Sequence, residues 1–164
     1  MGLGRRGIWI YARLILAIAI CQMAGIVGSI FTAPAIPAWY ADLRKPDIAP
    51  PNWIFAPAWT ILYLLMGISL FLIWNAGPNR AAIRRPIILF GIQLAMNAIW
   101  SYLFFGLRSP LLGLIWIAAL WILIALTIAS FLRISRAAAS LLIPYLLWVT
   151  FAGYLNYQIL ILNA

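Results

Sequence analysis

Five long apolar runs divide this chain, and each one is long enough to cross a lipid bilayer as a helix. The runs extend over about Leu14–Thr32, Ile54–Trp74, Pro86–Phe105, Leu111–Leu132 and Ser140–Leu162. A helical span needs about 20 mainly apolar residues, and a segment in lipid must satisfy its backbone hydrogen bonds internally, as a helix does. The sequence therefore predicts an all-α integral membrane protein, folded as a five-transmembrane-helix bundle.

Composition leaves no room for a separate soluble domain. Hydrophobic residues make up 67% of the 164 residues and charged residues 8%, whereas about a quarter of a soluble domain is charged. The five runs and their connections use nearly the whole chain. We therefore predict a single membrane domain over residues 1–164.

Basic residues gather at the ends of the apolar runs and favour one orientation. One side of the membrane is predicted to carry Arg5, Arg6, Arg13, Arg80, Arg84, Arg85, Arg133 and Arg136, and the other side Arg44, Lys45 and Arg108. Because cytoplasmic loops are enriched in lysine and arginine, this asymmetry predicts a multi-pass protein of a bacterial cell membrane with a cytoplasmic N-terminus. The net charge of +9 is interpreted as contact with membrane lipid phosphates, and no nucleic-acid partner is predicted.

The chain carries few of the side chains that acid–base and metal chemistry require. It has no histidine, its two acidic residues are Asp42 and Asp47 in the first connector, and its single cysteine is Cys21 in the first run. Hydrolase, metal-ion and covalent-nucleophile sites all need suitable titratable groups placed close together. We therefore predict no metal site, no required cofactor and no catalysis of the ordinary acid–base kind.

Three of the runs each place aromatic and amide side chains on one helical face. The stripes are Trp59, Tyr63 and Met66 in the second run, Gln93, Asn97, Trp100 and Phe104 in the third, and Tyr145, Trp148, Ala152 and Asn156 in the fifth. Residues three, four and seven apart share a face, and an amide in hydrocarbon needs a partner. The three amides are therefore expected to face the bundle interior, against a ligand or another helix. Aromatic rings are also common in helix packing, so packing alone is the alternative.

The connector over residues 33–53 is the long break between runs. Its end and the start of the second run read WYADLRKPDIAPPNWIFAPAW, residues 39–59, with three tryptophans and four prolines. Proline fixes φ, and a prefolded segment loses less entropy on closing over a ligand than a flexible loop does. We interpret the connector as a lid at the mouth of a pocket, with Asp42 and Asp47 as candidate partners of Arg44, Lys45 or Arg108. The alternative is a solvated turn.

Two further patterns concern helix packing. Ala24, Gly25, Gly28 and Ser29 put small side chains four residues apart in the first run, which favours close contact within the bundle or between two subunits. Pro144 lies early in the fifth run and is expected either to begin that helix or to kink it.

Three segments, in their order and spacing, resemble the TspO family, which includes bacterial tryptophan-rich sensory proteins and the mitochondrial translocator protein. They are WYADLRKPDIAPPNWIFAPAWTILYLLMG at 39–67, QLAMNAIWSYLFFGLR at 93–108 and IPYLLWVTFAGYLNY at 143–157. The resemblance implies a five-helix bundle, often a homodimer, with a pocket beneath the first connector for porphyrins, sterols and benzodiazepine-type ligands. The pocket positions that it implies are Trp39, Tyr40, Pro51, Trp53, Trp59, Asn97, Trp100, Trp148 and Ala152, and the helical stripes add Tyr63 and Phe104.

The function expected from these residues is a membrane binding protein for porphyrins, haem included as a ligand, acting as a sensor, scavenger or carrier. Light-dependent porphyrin degradation is a second expectation, because relatives are reported to degrade porphyrin with tryptophans that match Trp59 and Trp148. A sterol or lipid translocator, or a purely structural membrane partner, is a third. Sterol binding is disfavoured because no basic residue follows Tyr157, where the family's sterol-recognition stretch has one.

Overall fold

A computed structural model describes residues 3–76 and 80–164 of the chain. Its helices are α1 (Leu3–Ala35), α2 (Trp39–Asp42), α3 (Phe55–Ala76), α4 (Arg80–Ser101), α5 (Pro110–Leu132), α6 (Arg136–Ser140) and α7 (Ile143–Leu162). Within the described residues, five helical segments are long and apolar enough to cross a membrane. The predicted all-α, five-helix architecture is therefore confirmed.

Several helices extend beyond the apolar runs that predicted them. α1 begins at Leu3 instead of Leu14 and ends at Ala35, and α4 begins at Arg80 instead of Pro86. Hydropathy marks the part of a helix that suits lipid, whereas the helix itself continues into a polar flank wherever the residues favour it. Arginine is among the better helix formers, so the arginine-rich flanks lengthen the helices.

The helix of the fifth apolar run, α7, begins three residues after the start of that run, and a short helix, α6, precedes it. α6 ends at Ser140, and α7 begins at Ile143 with Pro144 in its first turn. Proline has no N–H to donate, and the first N–H groups of a helix have no partner within it, so proline is well tolerated there. Of the two outcomes expected for Pro144, the structure has the one in which it begins the helix.

The turn between α4 and α5 is short and tightly bonded. A π-helical turn at Tyr102–Gly106 extends α4, and the N–H of Leu107 donates to the carbonyl of Tyr102 at 2.8 Å. The hydroxyl of Ser109 then accepts from the N–H of Leu112 at 3.3 Å and caps α5. Because so few residues join the two helices, α4 and α5 are antiparallel neighbours.

The five long helices form a closed ring. α1 packs against α3 and α4, α4 against α5, and α5 against α7, while α6 and α7 return to α3. The half of the ring away from the connector is filled by buried side chains, among them Met66, Ile73 and the stacked rings of Phe90 and Phe131. In the half next to the connector the ring encloses a cavity.

The polar and small side chains of the apolar runs face the interior of this ring. Gln93, Asn97 and Asn156 are 1%, 3% and 1% exposed, which confirms the expectation for the three amides. A Cβ added to Gly25 would lie 2.6 Å from the ring of Tyr63, and one added to Gly28 would lie 2.9 Å from Ser101 Oγ. The small residues of α1 therefore serve close packing within the bundle, and a homodimer stays a prediction.

The arginine count behind the predicted orientation includes Arg5, Arg6 and Arg80, whose side chains lie outside the described part of the chain. Arg13 is described: its guanidinium donates to Asn75 Oδ1 at 3.1 Å and lies 6.0 Å from the Trp74 ring. This contact ties α1 to the end of α3. The cytoplasmic N-terminus and the bacterial membrane stay sequence predictions.

Candidate functional site

A cavity of about 360 Å³ lies between α1, α3, α4 and α7, beneath the connector. Small-molecule sites in proteins typically have volumes of about 300 to 1,000 Å³ and mostly apolar walls with a few polar groups. This cavity has both properties, since aromatic and aliphatic side chains surround it and a few amide, hydroxyl and indole N–H groups lie among them. It is therefore the candidate functional site.

Trp59 is the centre of an aromatic wall on α3 and α7. Its ring stacks on Tyr63 with centroids 5.5 Å apart, and it meets Trp148 and Tyr145 edge to face at 6.4 and 6.3 Å. Phe55 meets Trp148 from the connector side at 6.2 Å. Stacked and edge-to-face pairs are the favoured aromatic geometries, so these rings hold one another in place.

A second aromatic wall lies on α4 and its π-helical turn. Trp100 stacks on Phe104 with centroids 5.3 Å apart and an angle of 18° between the rings. The indole N–H of Trp100 donates to the carbonyl of Gly113 at 3.1 Å, which fixes the orientation of the ring. Phe104 also contacts Phe105 at 4.8 Å. This wall is therefore as preorganised as the first.

Asn97 joins two tyrosines where the cavity meets the packed half of the bundle. Tyr63 Oη donates to Asn97 Oδ1, and Asn97 Nδ2 donates to Tyr145 Oη at 3.1 Å. An amide carries both a donor and an acceptor, which lets one side chain satisfy both hydroxyls. The bridge links α3, α4 and α7 through residues that are almost fully buried.

Among the described residues, some buried polar atoms have no hydrogen-bond partner. They are the indole Nε1 of Trp148, Oδ1 of Asn156, and both amide atoms of Gln93. The other end of the Asn156 amide is satisfied, because Nδ2 donates to the carbonyl of Pro110 at 2.7 Å. A buried polar atom without a partner is costly. Since Trp148 and Asn156 line the cavity, a ligand with matching polar groups would relieve part of this cost.

Tyr40 on α2 closes the cavity from the connector side. It is 4% exposed, lines the cavity and contacts the ring of Phe105 at 5.6 Å. Lys45 Nζ lies 4.8 Å from the Tyr40 ring and donates to the carbonyls of Ala41 and Leu43 at 3.1 and 3.0 Å. Burial raises the pKa of Tyr40, so its ring is neutral at physiological pH and presents a π face to the ammonium group.

The connector is held down by an amide and not by the ion pairs considered from the sequence. Asp42 and Asp47 are exposed and form no ion pair with the described side chains. Asn163, just beyond α7, instead accepts from the N–H of Arg44 at 3.0 Å and donates to its carbonyl at 2.9 Å. Exposed ion pairs contribute little, whereas this side chain satisfies both backbone groups of one residue. We call this contact the Asn163 clamp.

Eight of the predicted ligand-binding residues line the cavity: Tyr40, Trp59, Tyr63, Asn97, Trp100, Phe104, Trp148 and Ala152. Trp39 lies outside the lining and packs against Phe104 at 5.6 Å. Pro51 and Trp53 are exposed, Trp53 to 73%, and lie outside it too. Trp53 belongs to the 3₁₀ turn at Asn52–Ile54, just before α3, and is largely exposed there. The role of each of these residues in binding stays a prediction.

No residue of α1 was among the predicted ligand-binding residues, although α1 forms one wall of the cavity. Gln22, Gly25, Gly28, Ser29 and Thr32 line it, although the small residues of this run were interpreted as packing alone. The same spacing also brings hydroxyl and amide groups onto the inner face of α1, and this mixed small and polar face was the available signal.

Comparison with known proteins identifies the family of the chain. Residues 17–162 match the TspO/MBR family. The chain is 46% identical to the tryptophan-rich protein TspO of Chlorobaculum tepidum over 92% of this chain and 95% of that one. It is 45% identical to the protein of the same name from Archaeoglobus fulgidus (93% and 97% covered) and 38% identical to the translocator protein of Homo sapiens (80% and 78% covered). This multi-pass membrane protein therefore belongs to the TspO/MBR family.

Proposed function

We propose that this protein binds porphyrins and similar flat apolar ligands in the cavity and acts as a sensor, scavenger or carrier for them. The observation that carries the proposal is the pair of aromatic walls around Trp59 and Trp100. Aromatic side chains offer large flat contact areas with few torsions to freeze, and a favourable ring pair adds about 0.5 to 1.5 kcal/mol beyond burial.

Binding of this kind needs no metal ligand from the protein. The described residues contain no group of three or more histidine, cysteine, aspartate or glutamate side chains that could hold a metal ion. The ring faces of a porphyrin suit the aromatic walls, and its propionates suit the cationic groups of Arg44 and Lys45 in the connector. Ring contacts inside the cavity and positive charge in the connector together favour an amphipathic macrocycle.

The direct test is a titration of the purified, detergent-solubilised protein with protoporphyrin in the dark, following tryptophan emission. We expect saturable quenching with one porphyrin per chain. Quenching that rises linearly with porphyrin concentration and never saturates would mean that the aromatic walls serve packing alone.

Replacing Trp148 by phenylalanine should weaken porphyrin binding while the protein still folds. The variant loses contact area and an indole N–H that has no partner among the described residues. One hydrogen bond contributes about 0.5 to 1.5 kcal/mol, so the dissociation constant should rise about two- to twelvefold, as measured by the same titration. Trp121→Phe is the matched control, because that indole is 40% exposed and bonds to Thr150 outside the cavity. Equal affinity of both variants would contradict the assignment of the pocket.

Light-dependent porphyrin degradation is a second candidate function, favoured by the contact of Trp59 with three other oxidisable rings, Tyr63, Tyr145 and Trp148. The excited porphyrin would take one electron from the Trp59 indole and pass it to dioxygen. Superoxide and an indole radical cation then form beside the macrocycle and oxidise it.

Trp59→Phe distinguishes this photochemistry from binding alone. If degradation occurs, an illuminated, aerobic complex of the wild type should yield a new absorbing species that Trp59→Phe forms at a much lower rate when equally loaded with porphyrin. Absorbance spectra recorded in light and in darkness follow it. If the absorbance spectrum of the illuminated wild-type complex does not change, degradation does not occur and ligand binding is the remaining proposal.

A further inference from the structure

The exposed residues of the cavity lining lie on two helical segments only. They are Ile26, Ser29 and Ala33 on α1, and Asn52, Ala56 and Thr60 on the 3₁₀ turn and the start of α3. None of the lining residues of α4 and α7 is exposed, and Phe104, Leu155 and Ile159 are 2 to 5% exposed although they face the same cavity. The cavity therefore has an open side, and it lies between α1 and α3.

The six exposed residues form two facing stripes. Positions 26, 29 and 33 are spaced by three and four residues, and positions 52, 56 and 60 by four, so each set shares one helical face. Four of the six, Ser29, Ala33, Ala56 and Thr60, have small side chains that leave space between the helices. We call the gap between these two stripes the slot.

The slot is closed at the end away from the connector. Gln22 Nε2 donates to the carbonyl of Thr60 at 3.1 Å and joins the two helices there. Gly25 lies against Tyr63 beside this bond, and farther from the connector Gly67 lies against Ile18. The two helices are thus in direct contact below the slot, and the opening is confined to the half of the bundle that holds the cavity.

The rim of the slot presents hydrocarbon to its surroundings except at its connector end, where Asn52 is exposed. The hydroxyl of Ser29 donates to the carbonyl of Ile26 at 2.7 Å, and that of Thr60 donates to the carbonyl of Ala56 at 2.9 Å. Hydroxyls bonded to their own helix in this way add no free polar group to the surface. The rim also lies within Ile8–Ala35 and Asn52–Ala76, two of the segments apolar enough to span a membrane. The slot therefore faces lipid chains and not water.

The other way into the cavity, past the connector, is held shut. The Asn163 clamp pins Arg44 to the end of α7, and its Nδ2 also donates to the carbonyl of Ile159 at 2.8 Å. Tyr40, just before the clamp, is buried between the cavity and the Lys45 ammonium group. Opening this side means breaking several contacts at once, whereas the slot is already open.

We infer that the slot is a lateral portal through which a ligand dissolved in the bilayer enters the cavity between α1 and α3. The inference rests on the proposed function and narrows its ligand class to molecules, amphipathic ones included, that partition into lipid before they bind. The connector then acts as a fixed roof of the site and not as its entrance.

The test measures how fast protoporphyrin moves from preloaded phosphatidylcholine vesicles to the reconstituted protein, by stopped-flow quenching of tryptophan emission. Ala33→Leu combined with Ala56→Leu narrows the slot, and we expect association and dissociation rate constants to fall together by about tenfold, as for a gated route. Ala19→Leu combined with Ala119→Leu is the matched control, because both alanines are exposed and outside the cavity lining. Ser29→Leu is a second slot variant.

A second test loosens the connector and asks whether ligand exchange becomes faster. Asn163→Ala removes the Asn163 clamp. We expect its ligand exchange rates to stay within about twofold of the wild type, a smaller difference than association rates of related complexes usually show. Faster exchange in Asn163→Ala, together with slot variants that behave like the control, would overturn the portal and place the entrance at the connector. Equilibrium titration of the wild type distinguishes failure of the portal from failure of the proposed function. Without saturable binding both fail, whereas with saturable binding the rate measurements test the portal alone.

Discussion

Gly67→Ala is expected to destabilise the protein, although alanine is the better helix former. A Cβ at this position would lie 2.6 Å from Ile18 Cα and 3.0 Å from its backbone N. Backbone atoms cannot rotate aside as a side chain can, so α1 and α3 must move apart along their contact. Overpacking of this kind typically costs about 1 to 3 kcal/mol, and we expect a value in the upper half of that range. Thermal unfolding in detergent, followed by circular dichroism, measures the change.

Gly91→Ala is the matched control within the same bundle. A Cβ added there meets nothing within 4 Å, so the substitution brings only the helix propensity of alanine, a gain of about 0.5 to 1 kcal/mol. The two variants should therefore shift the melting temperature in opposite directions. A stabilised Gly67→Ala protein would show that the close contact of α1 with α3 is absent in solution.

Asn97→Leu should produce a similarly large loss of stability by another route. The amide satisfies the hydroxyls of Tyr63 and Tyr145, which are 5% and 0% exposed. Leucine offers neither a donor nor an acceptor, and a buried polar group left unsatisfied costs about 1 to 3 kcal/mol. The free energy of unfolding, measured by titration with a denaturing detergent, should fall accordingly.

Removing the two hydroxyls as well should restore much of that loss. In the triple variant Asn97→Leu, Tyr63→Phe and Tyr145→Phe no polar atom of the bridge is left unpaired, and replacing all partners by apolar groups can be nearly neutral. The matched control is Tyr63→Phe and Tyr145→Phe in the presence of Asn97, which leaves the amide without both partners. A triple variant less stable than Asn97→Leu would show that the bridge is not the reason for the loss.

The spanning helices could be predicted from the sequence because lipid imposes one requirement on every residue of a span. Apolar side chains and internal backbone hydrogen bonds are needed along its length, so hydropathy alone located all five. The helix ends were harder to place, since flanks such as the arginine-rich stretch before Pro86 continue the helix outside lipid. The start of α7 could be predicted as one of two outcomes, because proline at position 144 is well tolerated in the first turn of a helix.

The interior faces of α3, α4 and α7 were predictable for a related reason. An amide such as Asn97 cannot face lipid without a partner, so its position identifies the inner face, and rings on the same face follow it inwards. The position of Trp53 could not be predicted in this way, because this residue lies in a 3₁₀ turn at the end of a span. An indole there suits the membrane interface as well as a pocket.

What the sequence by itself determined, then, is the all-α class, the number of spans, the inner faces of α3, α4 and α7, and membership of a family. The tertiary structure alone decided how the halves of the bundle differ: Gly67 brings α1 against α3 at one end, and small residues leave the slot open at the other. It also decided that Asn163, not an acidic residue, holds the connector. These features depend on which residues of distant segments become neighbours, and a periodic pattern within one helix carries no information about its partner.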